Sequence, residues 1–163
     1  MKKIVFIIIS IIIGILVYQK NDELVIPSDA IRIRIIANSN SIKDLLEKKK
    51  IKEDIKEKLY NLVKESNNSS EASLTIKNNL HTIRKMISER TSDFKMDYGN
   101  NYFPSKTYRG VIYPSGMYES LVITLGDGLG DNWWCVLYPP LCMIEDNYNT
   151  SDIEYHLLIK DLL

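Results

Sequence analysis

The heptapeptide IRIRIIA, residues 31–37, alternates apolar and charged side chains over its first five positions. Ile31, Ile33 and Ile35 fall on one face of an extended segment, and Arg32 and Arg34 fall on the other, because successive strand residues point to opposite sides. The alternation predicts a strand with one buried face and one face open to solvent.

Two helices are predicted after this strand. Ser41 followed three residues later by Asp44 has the form of a capping box. Apolar residues then recur at helical spacing from Ile42 to about Glu65, and the basic run Lys48 to Lys52 is interpreted as the solvated face of this helix. A second periodic segment, from about Glu71 to Arg90, predicts a helix that returns antiparallel to the first.

The second half of the chain is β-like. Residues 94–98 alternate apolar with charged side chains, residues 108–113 are rich in β-formers, and residues 121–125 read LVITL. These patterns predict an α+β fold with one strand, a helical hairpin, and three or four mostly antiparallel strands. We expect a single domain over residues 31–163, preceded by a connector over residues 21–30.

The N-terminus has the composition of an export segment. Two lysines precede the apolar run IVFIIISIIIGILV, Ile4 to Val17, as in a secretory signal. At about 1.5 Å per residue the run measures roughly 21 Å, against about 30 Å for a bilayer core. No small-residue cleavage site follows at the usual distance, so a cleaved signal peptide and a retained membrane anchor over residues 1–20 both stay open. In either case Asn21 onward is expected outside the cytoplasm.

Charge and ligand counts exclude several function classes. The 163 residues carry 21 basic and 21 acidic side chains, and the part after Lys20 carries 18 basic against 21 acidic ones. Such a balance gives no reason to expect binding to nucleic acid. Two histidines and two cysteines leave few ligands for a zinc site, so we expect neither a metal nor a cofactor.

The segment GDGLGDNWWCVLYPPLC, residues 126–142, concentrates the unusual residues. Its alternating glycines do not predict a phosphate site, because β-like composition follows them where a nucleotide fold needs a helix. An exported protein meets a non-reducing milieu, which favours a disulfide between Cys135 and Cys142. That bond requires Pro139-Pro140 to reverse the chain. Buried free thiols and a nucleophilic Cys135 are the alternatives.

The adjacent tryptophans are candidates for contact with a partner. On a strand, Trp133 and Trp134 point to opposite sides, so that one can enter the core while the other faces outward near Tyr138. The alternative places both rings in the core. Asn132 and Arg34 are weaker candidates for the same contact.

Three segments together with the export signal resemble the stage II sporulation protein R family of endospore-forming Firmicutes: AIRIRIIANSNS at residues 30–41, YPSGMYESLVITLG at 113–126 and GLGDNWWCVLYPPLC at 128–142. The resemblance implies a signalling protein and no enzyme. The resemblance implies that the protein is exported from the forespore into the space between the forespore and the mother cell. There, an aspartic protease in the mother-cell membrane would need it to become active. That protease then cleaves the precursor of the early mother-cell sigma factor.

Two hypotheses follow. In the first, the exported domain binds the protease and favours its active form, without nucleic acid or a small-molecule substrate, and Trp133, Trp134 and Tyr138 form the contact. The alternative is an exported cell-wall hydrolase. It would use Cys135 or the three acidic residues Glu119, Asp127 and Asp131.

Overall fold

The computed structural model describes residues 24–108 and 110–142. The predicted signal or anchor segment and everything beyond Cys142 lie outside the described residues. Within the described part, neither helix combines the length and the apolar content needed to cross a bilayer.

The described chain is α+β, as predicted. The helices are α1 (Ile42–Val63) and α2 (Ser69–Ser88). The strands are β1 (Leu24–Val25), β2 (Ile31–Ile36), β3 (Phe94–Phe103), β4 (Lys106–Tyr108), β5 (Val111–Tyr113), β6 (Gly116–Leu125) and β7 (Asn132–Tyr138). The predicted strand over residues 108–113 is instead the meeting point of β4 and β5, which pair antiparallel.

A four-stranded main sheet has the order β3-β6-β2-β7. Its outer pairs, β3 with β6 and β2 with β7, are antiparallel, whereas β2 and β6 at its centre are parallel. The helical hairpin and strands β3, β4 and β5 separate β2 from β6 in sequence, and this long connection allows the crossover that a parallel pair requires. In the strand order β3-β6-β2-β7, strand β7 forms one edge of the main sheet and β3 forms the other.

Both faces of the main sheet are covered. Ile31, Ile33 and Ile35 are fully buried beneath the two helices, as their alternation predicts. The opposite face carries a second apolar cluster, built with residues of the small sheet β1-β5-β4. The prediction that the arginine face is open to solvent is therefore wrong for Arg32, which is only 2% exposed.

Aromatic rings line the site where Arg32 is buried. Its guanidinium carbon lies 4.2 Å from the centroid of the Phe103 ring and 4.9 Å from that of Tyr118. Arginine above an aromatic face is attracted by the ring quadrupole, and this attraction strengthens when water is excluded. The second face of the sheet thus buries a cation inside an aromatic cluster.

The first turn of α1 confirms half of the predicted capping box. The Ser41 hydroxyl accepts a hydrogen bond from the Asp44 backbone N–H at 3.2 Å. The Asp44 carboxylate, however, accepts hydrogen bonds from Asn38 Nδ2 at 3.0 Å and from Ser39 Oγ at 2.5 Å. It therefore ties the loop before the helix to the first turn.

We expect the stabilisation from Asp44 to depend on pH. The hydrogen bond from Ser39 lowers the pKa of Asp44 below its ordinary value of 3.8. A lowered folded-state pKa contributes stability above the unfolded-state pKa, and this contribution is lost as the pH falls through the folded-state value. Urea midpoints of the wild type and Asp44→Asn should differ at pH 7, and the difference should shrink as the pH falls below the ordinary Asp value of 3.8. A difference that stays constant down to pH 2 would contradict this assignment.

Candidate functional site

A groove with a volume of about 320 Å³ opens beside the edge strand β7. Strand β7 contributes Asn132, Trp133 and Trp134, helix α1 contributes Lys52, and the β4–β5 hairpin contributes Lys106 and Tyr108. We call this feature the edge groove. It brings three of the predicted contact residues together with Lys52 and Lys106, which no local sequence pattern indicates as contact residues.

The two tryptophans lie on opposite faces of β7, as the alternation predicts. Trp133 packs at the border of the helix-side core, and Lys52 Nζ lies 5.5 Å from the centroid of its ring. Trp134 packs against the second core, and its ring centroid is 5.1 Å from that of Phe103 in an edge-to-face arrangement. Both rings are partly buried, so each is held by packing on one side and lines the groove on the other.

Arg34 supports this site from behind and is not among the residues that line the groove. Its guanidinium carbon lies 5.2 Å from the Trp134 ring centroid and 5.7 Å from that of Phe103. Burial lowers the pKa of Arg34, and its Nε atom has no hydrogen-bond partner among the described residues. Arg34 thus orients the Trp134 ring and is poorly placed for direct contact with a partner.

Tyr138 belongs to the core and leaves the set of candidate contacts. It is 4% exposed, and its hydroxyl donates a hydrogen bond to the Ser66 carbonyl at 3.4 Å. The register of β7 against β2 shifts between the pair Ile31–Tyr138 and the pair Arg32–Val136. Because one extra residue moves a side chain to the other face, this irregularity places Tyr138 under the helices.

Cys135 and Cys142 form a disulfide, and both are buried. Their Cα atoms are 5.5 Å apart. The chain reverses at Pro139 and Pro140, where the Leu141 N–H donates a hydrogen bond to the Pro139 carbonyl at 2.7 Å. The nucleophile in cysteine catalysis is a free thiolate, and Cys135 has none while its sulfur is bonded to Cys142.

The glycine-rich turn interlocks with the loop that follows β2. Asp127 N–H donates to Asn38 Oδ1 at 2.9 Å, and Asp131 N–H donates to Asn40 Oδ1 at 2.7 Å. Gly130 N–H donates to the Ala37 carbonyl at 2.9 Å. We call residues 37–40 and 126–131 together the loop interlock. Gly130 allows close approach of the Ser39 backbone, and Gly126 and Gly128 adopt positive φ values of 51° and 67°, so the turn itself accounts for the three glycines.

The acidic residues of the hydrolase alternative do not converge. Glu119 accepts a hydrogen bond from Ser73 at 2.6 Å and pairs with Lys77 at 2.8 Å. Burial alone would raise the pKa of Glu119, but these two partners outweigh it and the pKa is lowered. Glu119 lies six residues before the end of β6 at Leu125, which is about 20 Å along the strand, and Asp127 and Asp131 follow that end. Among the described residues, no group of three or more His, Cys, Asp and Glu side chains could hold a metal ion.

Comparison with known proteins covers both the edge groove and the loop interlock. Residues 27–148 match the family model of stage II sporulation protein R. The chain is 38% identical over 133 residues to stage II sporulation protein R of Bacillus subtilis (strain 168), and the match covers 78% of this chain and 59% of that relative. No solved structure matches. The chain therefore belongs to the stage II sporulation protein R family.

Proposed function

We propose that this protein is an exported signalling protein of sporulation, which passes from the forespore towards the mother cell. There it activates the membrane aspartic protease that processes the precursor of the early mother-cell sigma factor. Membership of the stage II sporulation protein R family supports a role in sporulation. The N-terminal segment, residues 1–20, would deliver or anchor the domain in the intermembrane space.

The observation that carries the proposal is the pair of tryptophans presented at the edge groove. Large aromatic side chains dominate the binding energy of many interfaces, especially where a rigid support holds them. Trp133 and Trp134 stand on a strand whose end is fastened by the Cys135–Cys142 disulfide. A pre-organised contact of this kind loses little conformational entropy on binding.

Activation requires that the domain bind the active form of the protease more tightly than the inactive form. A ligand with equal affinity for both forms shifts nothing, and a change from 1:99 to 99:1 needs a preference of about 10⁴-fold. A rigid groove can provide such a preference if its binding segment is accessible in one form only. The protein then acts by binding and performs no chemistry of its own.

The test is reconstitution in a bacterium that does not sporulate. This protein, the protease and the sigma-factor precursor are co-expressed, and precursor cleavage is followed on gels with and without residues 1–20. We expect cleavage only when the protein is present and carries its export segment. An uncut precursor in the presence of all three accumulated proteins would count against the proposal.

Replacement of Trp133 by alanine should reduce activation strongly while the domain stays folded. Loss of a central aromatic contact typically costs about 2 kcal/mol or more, which is roughly a 30-fold loss of affinity. The measurement is precursor cleavage over a series of expression levels, with export and thermal unfolding checked for each variant. Tyr102→Ala is the matched control, because Tyr102 is 60% exposed on β3 at the opposite edge of the main sheet. Full activation by a folded, exported Trp133→Ala variant would remove this ring from the proposed contact.

A further inference from the structure

We infer that the edge groove receives an extended segment of the partner protein that carries carboxylate groups. This inference rests on the proposed function and adds the chemistry of the segment that is bound. It follows from the charge of the groove and from its position on the main sheet.

The charge of the groove is one-sided. The lysines Lys52 and Lys106 line it, the buried guanidinium of Arg32 lies at its inner wall, and none of the described residues that line it is acidic. This contrasts with the even charge balance of the whole chain. Clefts lined by one sign of charge concentrate ligands of the opposite sign and speed their association.

The two lysines are available to a ligand in different ways. Lys106 makes no ion pair with any described carboxylate, and its Nζ lies 5.8 Å from the Tyr108 ring centroid. The Lys52 side chain is 19% exposed and pairs with Glu53 at 2.8 Å, but Glu53 does not line the groove. A carboxylate in the groove can therefore reach Lys106 directly and can share Lys52 with Glu53.

The position of the groove favours an extended segment. The groove lies beside β7, which is an edge strand of the main sheet. Edge strands are a common docking place for extended peptides, because their backbone groups on one side are not paired within the sheet.

The test reverses the charge of the groove. We compare precursor cleavage with the wild type and with three double variants: Lys52→Glu/Lys106→Glu, the conservative Lys52→Arg/Lys106→Arg, and the control Lys49→Glu/Lys50→Glu. The control changes the net charge equally on the exposed side of α1. We expect at least a tenfold loss for the first variant, and less than a twofold change for the other two. Thermal unfolding checks that all variants fold.

The outcomes separate this inference from the proposed function. If the wild type itself leaves the precursor uncut, the proposed function fails, and the inferred protease partner fails with it. If the wild type activates cleavage and the groove variant does so equally well, only the inference is overturned. An equal loss in the Lys49/Lys50 control would also overturn it, because net charge and not the groove would then be responsible.

A photo-crosslinker identifies the occupant. We place p-benzoylphenylalanine at Tyr108, which is 41% exposed in the groove lining, and at Tyr102 as the control position. After irradiation of the co-expressing cells, we expect Tyr108 to capture a protease segment with more Asp and Glu than Lys and Arg. Capture of phospholipid, of residues 143–163 of this chain, of a second copy, or of a basic segment would overturn the inference. So would capture of the protease from Tyr102 alone.

Discussion

Replacement of Cys142 by serine is expected to lower the free energy of unfolding by about 2.5 kcal/mol, as loop-closure entropy predicts for so short a loop. Cys135→Ser should have the same effect, because either change opens the same bond. The disulfide fastens the end of β7, whose other half presents the two tryptophans, so precursor cleavage should fall together with stability. Urea unfolding without reductant measures the difference, and the reduced wild type should resemble both variants.

Comparison of the two cysteine variants also tests the hydrolase alternative. If Cys135 were the catalytic nucleophile of a cell-wall hydrolase, Cys135→Ser would abolish hydrolysis without changing the free energy of unfolding. Cys142→Ser would then keep its hydrolytic activity. A structural disulfide makes the two variants equivalent, and the double variant Cys135→Ser/Cys142→Ser no worse than either. If precursor cleavage by the cysteine variants recovers at a lower temperature, this would further indicate that their loss of activation comes from unfolding.

Local sequence patterns were sufficient for the helices and for the fold class. The periodicity that predicts a helix from Ile42 to about Glu65 corresponds to α1, which ends at Val63. The second helix begins at Ser69, two residues before the predicted start, because the Asn68 side chain accepts a hydrogen bond from the Glu71 N–H at 2.9 Å. Helical periodicity and capping residues lie in the helix itself or next to its first turn, so they can be recognised in the sequence without knowledge of the tertiary structure.

Features that depend on distant parts of the chain could not be predicted. The alternation in β2 shows two faces, but the burial of Arg32 depends on rings from distant parts of the chain, Phe103 and Tyr118 of the main sheet and Tyr113 of the small sheet. For the same reason the local charge pattern places Lys52 only on a solvated helix face, whereas in the structure Lys52 lines the edge groove beside Trp133. The position of Tyr138 depends on a register irregularity that no local pattern indicates.

The loop interlock is the clearest case of two motifs that form one structural unit. Residues 37–40 and 126–131 are about ninety positions apart, and each looks like an ordinary turn in the sequence. In the structure, the backbone of one accepts and donates hydrogen bonds to the other, and Lys48 Nζ adds a bond to the Asp131 carbonyl at 2.7 Å. The interlock fixes the start of β7, and hence the position of Asn132 and Trp133.

Gly130→Ala should therefore destabilise the protein by about 1–3 kcal/mol, the usual cost of overpacking. A Cβ at Gly130 would overlap the Ser39 carbonyl and lie 2.8 Å from the Ala37 Cβ, so the two loops would have to separate. Gly99→Ala is the matched control, since the nearest heavy atom to its added Cβ is Asp97 Oδ2 at 3.9 Å. We expect chemical denaturation to show a loss for Gly130→Ala and almost none for Gly99→Ala. Equal stability of the two variants would mean that the interlock yields easily and does not fix the start of β7.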